Sequence, residues 1–298
     1  MTQPSRDQHV WRDEEEMAAA ICELYPDTDR QNLRFHRSGW DSVAIETAGR
    51  LFKFPRQTNA LAALRREVDI LALVRPLSPL PVPDMRLHGH PAPFSEHLVL
   101  PGEHLVTAQY ERLSEARRDR LAAALADFYA AIHAIDPAAA RAAGAVPVEA
   151  WLPAQTVDKI ALPLLPVHIR AEARQIIEVY AATASAEPDE IYGFFDGHGW
   201  NMAFDHATGT LNGMYDFADS GIGQRHQEFV YSSFISWDLT ERIIGHYERV
   251  TGLSIDRERV RTLTGYHRLW ELAVCAQSGN STEIEEMLTS ALSWLERP

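Results

Sequence analysis

Residues 192–223 read YGFFDGHGWNMAFDHATGTLNGMYDFADSGIG. Two short strand-like runs, 201–204 and 211–215, flank the segment DHATG at 205–209, which predicts a hairpin with a Gly-bearing turn. Asp196 and Asn201 stand just before the first strand or at its start, and Asp216 and Asp219 follow the second. Pairing of the strands lays those ends side by side, so Asp196, Asn201 and Asp216 are expected to converge. Two carboxylates and an amide are hard oxygen donors, suited to a cation such as Mg2+ that takes a few protein oxygens plus substrate phosphates.

Asp and Asn are also ordinary turn formers, and a DxxxxN spacing arises often by chance. A loop–hairpin–loop with carboxylates at both ends, closing on DFxD and Gly-x-Gly, is much rarer, and favours a functional site.

The run from Asp196 to Asn201 (DGHGWN), followed by DFAD from Asp216 to Asp219, resembles the catalytic and metal-binding loops of the aminoglycoside phosphotransferase family, a branch of the protein-kinase-like fold. That family's usual pattern is His-Gly-Asp-x-x-x-x-Asn, a hairpin, then Asp-Phe-x-Asp. The chain departs from it with Phe194 for the His and Phe195 for the Gly. The resemblance implies that Asp196 is the catalytic base and that Asn201 and Asp216 are the metal ligands. Phe194 is expected to replace the packing of the family's His.

The bulk numbers bound the alternatives. At 298 residues the chain has ample length for about two domains and a substantial core. A net charge of −14 argues against nucleic acid or an anionic membrane as partner and is compatible with a cationic substrate. Cys22 and Cys275 are the only cysteines, so neither a disulfide framework nor a zinc site is indicated. The first residues lack an apolar signal region and no run approaches a membrane span, which reads as a cytoplasmic protein.

Along the chain, residues 14–25 predict a short amphipathic helix and 33–37, 42–47 and 51–54 predict three strands. Small residues at Ser38, Gly39 and Ser42 in the first turn would let backbone amides approach a phosphate, although no Gly-x-Gly-x-x-Gly or Walker loop occurs. Lys53 stands in the apolar strand Leu-Phe-Lys-Phe and is one of two lysines, with Lys159, against 26 arginines. An ammonium there suits a point contact to phosphate; the alternative is a lysine on an edge strand facing solvent. Leu61, Leu64, Val68 and Leu71 mark a helix over 60–74, with Glu67 on the edge of the buried seam. A carboxylate there needs a partner, and a Lys53–Glu67 pair is the kinase arrangement that positions ATP phosphates. An exposed Glu67 beside a neighbouring Arg is the competing reading.

A proline-rich connector follows at 76–83, then strands at 85–88 and 97–100, the latter beside the expected inter-lobe hinge where adenine would meet backbone groups. A long core helix is predicted over 113–135, a loop over 137–153, and helices at 155–161, 167–182 and from 224 onward. Glu283, with Glu285 and Glu286, lies where related enzymes build part of the acceptor pocket, but the same stretch reads as an Asn-capped helix start.

The expected fold is α+β and bilobal: a nucleotide-binding lobe over 1–102, with a small antiparallel sheet and one key helix, and a mainly helical lobe over 103–298. The expected function is Mg2+-dependent transfer of a phosphoryl group from ATP or GTP to a hydroxyl of a small, aminoglycoside-like or other hydroxylated acceptor. Lys53, Glu67, Gly39 and Ser42 would serve the nucleotide, Asn201 and Asp216 the metal, Asp196 the chemistry, and Asp219 and Glu283 the acceptor. The rivals are a kinase-like nucleotide-binding module with little catalysis, prompted by Phe194 and Phe195, and a metal-dependent hydrolase using Asp196, His198 and Asp216.

Overall fold

In the computed structural model, residues 11, 13–36, 42–90, 92–183 and 190–296 are described. Helix α1 (Glu14–Leu24) starts where the Asp13 side chain accepts the Glu15 amide, satisfying an otherwise orphan donor. Strands β1 (Arg34–His36), β2 (Ser42–Thr47) and β3 (Arg50–Pro55) form an antiparallel meander. Helix α2 (Thr58–Val74) follows, then β4 (Arg86–His88) and β5 (Phe94–Leu98). The sheet order is β1-β2-β3-β5-β4, so β3 is the central strand.

Alternation along β3 sorts its side chains between the faces of the sheet. Phe52 and Phe54 are buried with Trp11, Ile21 and Phe94 in a core under α1. Lys53 leaves from the opposite face, toward α2. Its central position removes the edge-strand reading. Ala60, Leu61, Leu64, Glu67, Ile70, Leu71 and Val74 form the buried stripe of α2, whereas Val68 is half-buried. Glu67 therefore sits in the middle of the seam, not on its edge.

Next come α3 (Thr107–Tyr110) and α4 (Glu115–His133). The single helix expected over 113–135 starts two residues later, at the Ser114 N-cap. Where a loop was expected, α5 (Pro137–Ala142) forms, because Asp136 caps the Ala138 amide and Pro137 presets the first turn. Helices α6 (Ala154–Ala161) and α7 (Arg170–Thr183) precede β6 (Glu190–Gly193), β7 (Met202–Asp205), β8 (Thr210–Met214) and β9 (Gly221–Gln224). Strands β7 and β8 make the expected hairpin. Strands β6 and β9 pair antiparallel around it, an arrangement not foreseen.

The chain then runs through α8 (Arg225–Glu228), α9 (Trp237–Thr251), α10 (Arg257–Ser278) and α11 (Ser281–Leu295). One core joins α2, α4, the hairpin and α9, and another joins α6, α7, α10 and α11. Strand β5 occupies 94–98 in place of the expected 97–100, because its register to β3 pairs Lys53 with Ser95. Among the described residues no helix is long and apolar enough to cross a membrane.

Candidate active site

The β6–β9 ribbon and the β7–β8 hairpin between them bring both loops together. Strand β6 feeds the loop 194–201, and β8 ends at the DFAD segment, which returns through β9. The Tyr215 amide donates to the Asn201 carbonyl at 3.1 Å, so the side chains of Asn201 and Asp216 leave from adjoining strand ends. Close packing explains glycine in the loop. A Cβ on Gly197 would lie 2.0 Å from the Tyr129 hydroxyl, and one on Gly199 would lie 1.7 Å from the Leu105 carbonyl oxygen.

Asp196 is held from two sides. Asn201 Nδ2 donates to the Asp196 carbonyl at 3.1 Å and to its carboxylate Oδ2, while His198 Nε2 lies 3.0 Å from Oδ1. The Trp200 amide donates to His198 Nδ1, which leaves the ring proton on Nε2, facing Asp196. Burial pushes the Asp196 carboxyl upward, only partly opposed by His198 and Asn201, and Asp216 adds repulsion. A basic carboxylate with fixed orientation is what a general base requires.

Across the cleft, Lys53 Nζ donates to both Glu67 oxygens at 3.0 and 3.1 Å and to Asp216 Oδ1 at 3.2 Å. Burial works against the ammonium, but the two carboxylates outweigh it and raise the Lys53 pKa. Glu67 also accepts the Phe217 amide at 3.2 Å, tying α2 to the DFAD segment. Asp216 has a left-handed backbone, φ 69°, and its side chain is 47% exposed.

An Mg2+ ion fits this donor set. The Asn201 amide is oriented through its nitrogen, leaving Oδ1 as an acceptor, and only Oδ1 of Asp216 meets Lys53. Among the described residues no three His, Cys, Asp or Glu side chains form a preformed metal cage. Two protein oxygens completed by phosphates and water suit Mg2+.

Phe194 is fully buried, edge-on to Phe217 with ring centroids 4.8 Å apart and to Phe128 at 5.8 Å. It fills the space under the loop as expected. Sequence reasoning missed what supports it from below. Glu228, 0% exposed, accepts the amides of Phe194 at 2.7 Å and Phe195 at 3.0 Å. A relay continues from it: His133 Nε2 lies 3.2 Å from Glu228, the Tyr247 hydroxyl 2.9 Å from His133 Nδ1, and Arg225 donates to Tyr247 at 2.7 Å. Burial keeps the His133 pKa below the imidazole norm, so the neutral ring donates to Glu228 and accepts from Tyr247.

Beside Asp196 a cavity of about 160 Å³ is walled by Phe195, Asp219, Glu149, Trp151, Tyr231, His267 and Trp270, among others. Burial, then Asp196, Asp216, Glu149 and Glu67, pushes the Asp219 carboxyl up to about 6. Glu283 does not line this cavity. It occupies the first turn of α11, capped by Asn280, where its charge acts on Cys275. Ser42 opens β2, opposite Pro55, and Gly39 lies outside the described residues. A larger concavity, about 840 Å³, lies between the end of α1 and β2 and holds none of the groups around Asp196.

The sequence model of the phosphotransferase enzyme family matches residues 32–263. No curated protein matches the sequence. Among solved structures, the GDP complex of wild-type aminoglycoside 2'-phosphotransferase-IIIa is similar, with TM-score 0.80, 19% identity, and 95% of this chain and 99% of that one covered. Macrolide 2'-phosphotransferase type I aligns with TM-score 0.68 at 16% identity, covering 95% and 98% of the two chains. A ternary complex of streptomycin, ATP and APH(2")-IIa gives 0.66 at 16%, covering 95% and 97%. The chain belongs to the phosphotransferase enzyme family and has its bilobal, protein-kinase-like fold.

Proposed function

We propose that the protein transfers the γ-phosphoryl group of ATP or GTP to a hydroxyl of a small molecule, in the cytoplasm. The observation that carries this reading is Lys53, whose ammonium joins Glu67 of the first lobe to Asp216 of the second. A phosphate chain entering the cleft meets that ammonium, while Glu67 keeps it in place. Ser42, the first residue of β2, is assigned to the same phosphates, as is Gly39. Asn201 and Asp216 would hold Mg2+, which when bound neutralises charge on the phosphate oxygens. Asp196 accepts the proton of the acceptor hydroxyl as its oxygen bonds to phosphorus and the bond to the departing nucleoside diphosphate breaks. Positioning and charge neutralisation supply most of the rate in such transfers.

The relatives are named for aminoglycosides and macrolides, both hydroxylated compounds. Cationic acceptors are favoured here by the net charge of −14 and by the carboxylates around the cavity. The intact support under the loop, Phe194 on Phe217 and Glu228 on the loop amides, favours catalysis over a binding module. The test is transfer from labelled ATP and GTP to a panel of hydroxylated acceptors, with and without EDTA. Nucleotide binding without transfer to any acceptor supports the module; turnover without nucleotide contradicts both readings.

A further inference from the structure

Phe195 holds a backbone conformation that a bulky side chain rarely adopts, φ 53°. Glycine takes this conformation freely, so an aromatic residue here needs a reason. Its ring supplies one. The residue is 2% exposed and its ring reaches over Gly193 and Gly223 of the β6–β9 ribbon. A Cβ on either glycine would come within 2.8 Å of the ring. Two positions without side chains thus seat one ring, and Phe195 lines the same cavity as Asp196. Strain retained beside a reacting group is a hallmark of functional positions.

The cavity has a defined size and charge. Its volume is about 160 Å³, and an engineered cavity of about 150 Å³ holds a single benzene ring. Three carboxylates line it, Glu149, Asp196 and Asp219, and among the described residues no Lys or Arg belongs to its walls. Trp151 and Trp270, ring centroids 6.1 Å apart at 29°, are both among its lining residues, and indole rings attract cations. His267, 4% exposed, lines it too, with Nδ1 3.5 Å from the Glu271 carboxylate.

Resting on the phosphotransferase reading, the geometry points to Phe195 as a size filter that restricts the acceptor pocket to hydroxylated amines of a single ring. The ammonium lies against Trp151, Trp270 and the carboxylates of Glu149 and Asp219, and the hydroxyl faces Asp196. Anionic alcohols are repelled by the same carboxylates. Replacing Phe195 by glycine removes the strain and opens the cavity by the volume of a benzyl group.

Binding is measured by titration on the full chain loaded with Mg2+ and a non-hydrolysable nucleotide. The probes are glucosamine, a single cationic ring; glucose, its neutral counterpart; and kanamycin, a cation of several rings. Glucosamine is expected to bind the natural protein roughly tenfold more tightly than either of the others, a gap of about 1.4 kcal/mol. Phe195→Gly, and Phe195→Asn as a second residue that tolerates the left-handed backbone, should each tighten kanamycin roughly tenfold relative to glucosamine. Equal binding of kanamycin and glucosamine by the natural protein, or a ratio unmoved by whichever variant folds, overturns the filter. Failure of all three probes to bind the nucleotide-loaded protein also overturns it, and leaves the nucleotide reading standing. Failure to bind ATP or GTP at all overturns the proposed function itself.

Discussion

The buried carboxylate of Glu228 accepts the backbone amide of Phe194 at 2.7 Å, thirty-four positions away in sequence. That bond, with its neighbour to Phe195, makes the conformation of the 194–201 loop depend on α8. Glu228→Ala leaves two buried amides and the His133 ring without an acceptor. A loss of about 3–5 kcal/mol in unfolding free energy is expected, as for breaking a buried charged network. Glu228→Gln, which keeps one acceptor oxygen, should lose less stability but still lower kcat with little change in nucleotide affinity. Chemical denaturation and nucleotide titration of the two variants check this; equal behaviour of Ala, Gln and parent contradicts it.

His133 should make the fold acid-sensitive. Its folded pKa lies below the ordinary 6.5, so the unfolded chain takes up the proton first as pH falls. The stabilisation is complete above 6.5 and is lost below it, at up to about 1.4 kcal/mol per pH unit, until the folded pKa is reached. Glu228, Tyr247, Tyr129 and Arg225 surround the ring. Asp196 and Asp219, whose pKa values are raised, act in the opposite direction. The measurement is therefore a difference: urea unfolding of the parent and of His133→Gln at about pH 7.5 and about pH 5.5, on either side of the imidazole norm. The parent should lose more stability between those values than the variant does, and equal losses contradict the assignment.

For the Lys53–Glu67 pair the outcome is a non-additive cycle. Lys53→Met leaves Glu67, 4% exposed, as an unpaired buried carboxylate, and should cost about 3–5 kcal/mol. Adding Glu67→Leu removes that charge and should restore much of the stability. Nucleotide affinity should fall in both, because the ammonium is gone from both. A double variant no more stable than Lys53→Met contradicts the buried pair.

Asp216→Asn acts on the metal site and on the lysine together. It removes the second carboxylate on Lys53 and one of two proposed metal ligands at nearly constant volume. The Mg2+ concentration for half-maximal activity should rise by on the order of tenfold or more. Activity that persists in EDTA contradicts the metal assignment.

The convergence of the two acidic loops could be read from sequence because they lie close together in the chain. Asp196, Asn201, Asp216 and Asp219 fall within 24 residues and are joined by a hairpin whose turn is local chemistry. Lys53 was marked by its rarity and Glu67 by periodicity, which put a charge near a buried seam. What stayed hidden depends on contacts between distant segments. Strands β6 and β9 carry glycines and no clean alternation, so neither signals a strand alone. Glu228 lies in a helix of four residues too short to show a face, and Trp151 and Trp270 meet only when α10 packs beside α6. Glu283 shows the converse: its acidic neighbourhood serves a helix start, and the cavity draws its third carboxylate from Glu149.

The most direct test is the transfer rate of Asp196→Asn beside that of Phe194→His, measured with a turned-over acceptor and saturating nucleotide. The amide introduced by Asp196→Asn could still take part in the hydrogen bonds of the loop but could not take the acceptor's proton. A loss on the order of 10²–10⁴ is expected, as for removal of a positioned general base, while Phe194→His, which alters packing against Phe217, should change the rate far less. Parent-like transfer by Asp196→Asn, with activity appearing only in Phe194→His, would contradict the assignment of Asp196 as base and make the natural protein a nucleotide-binding module.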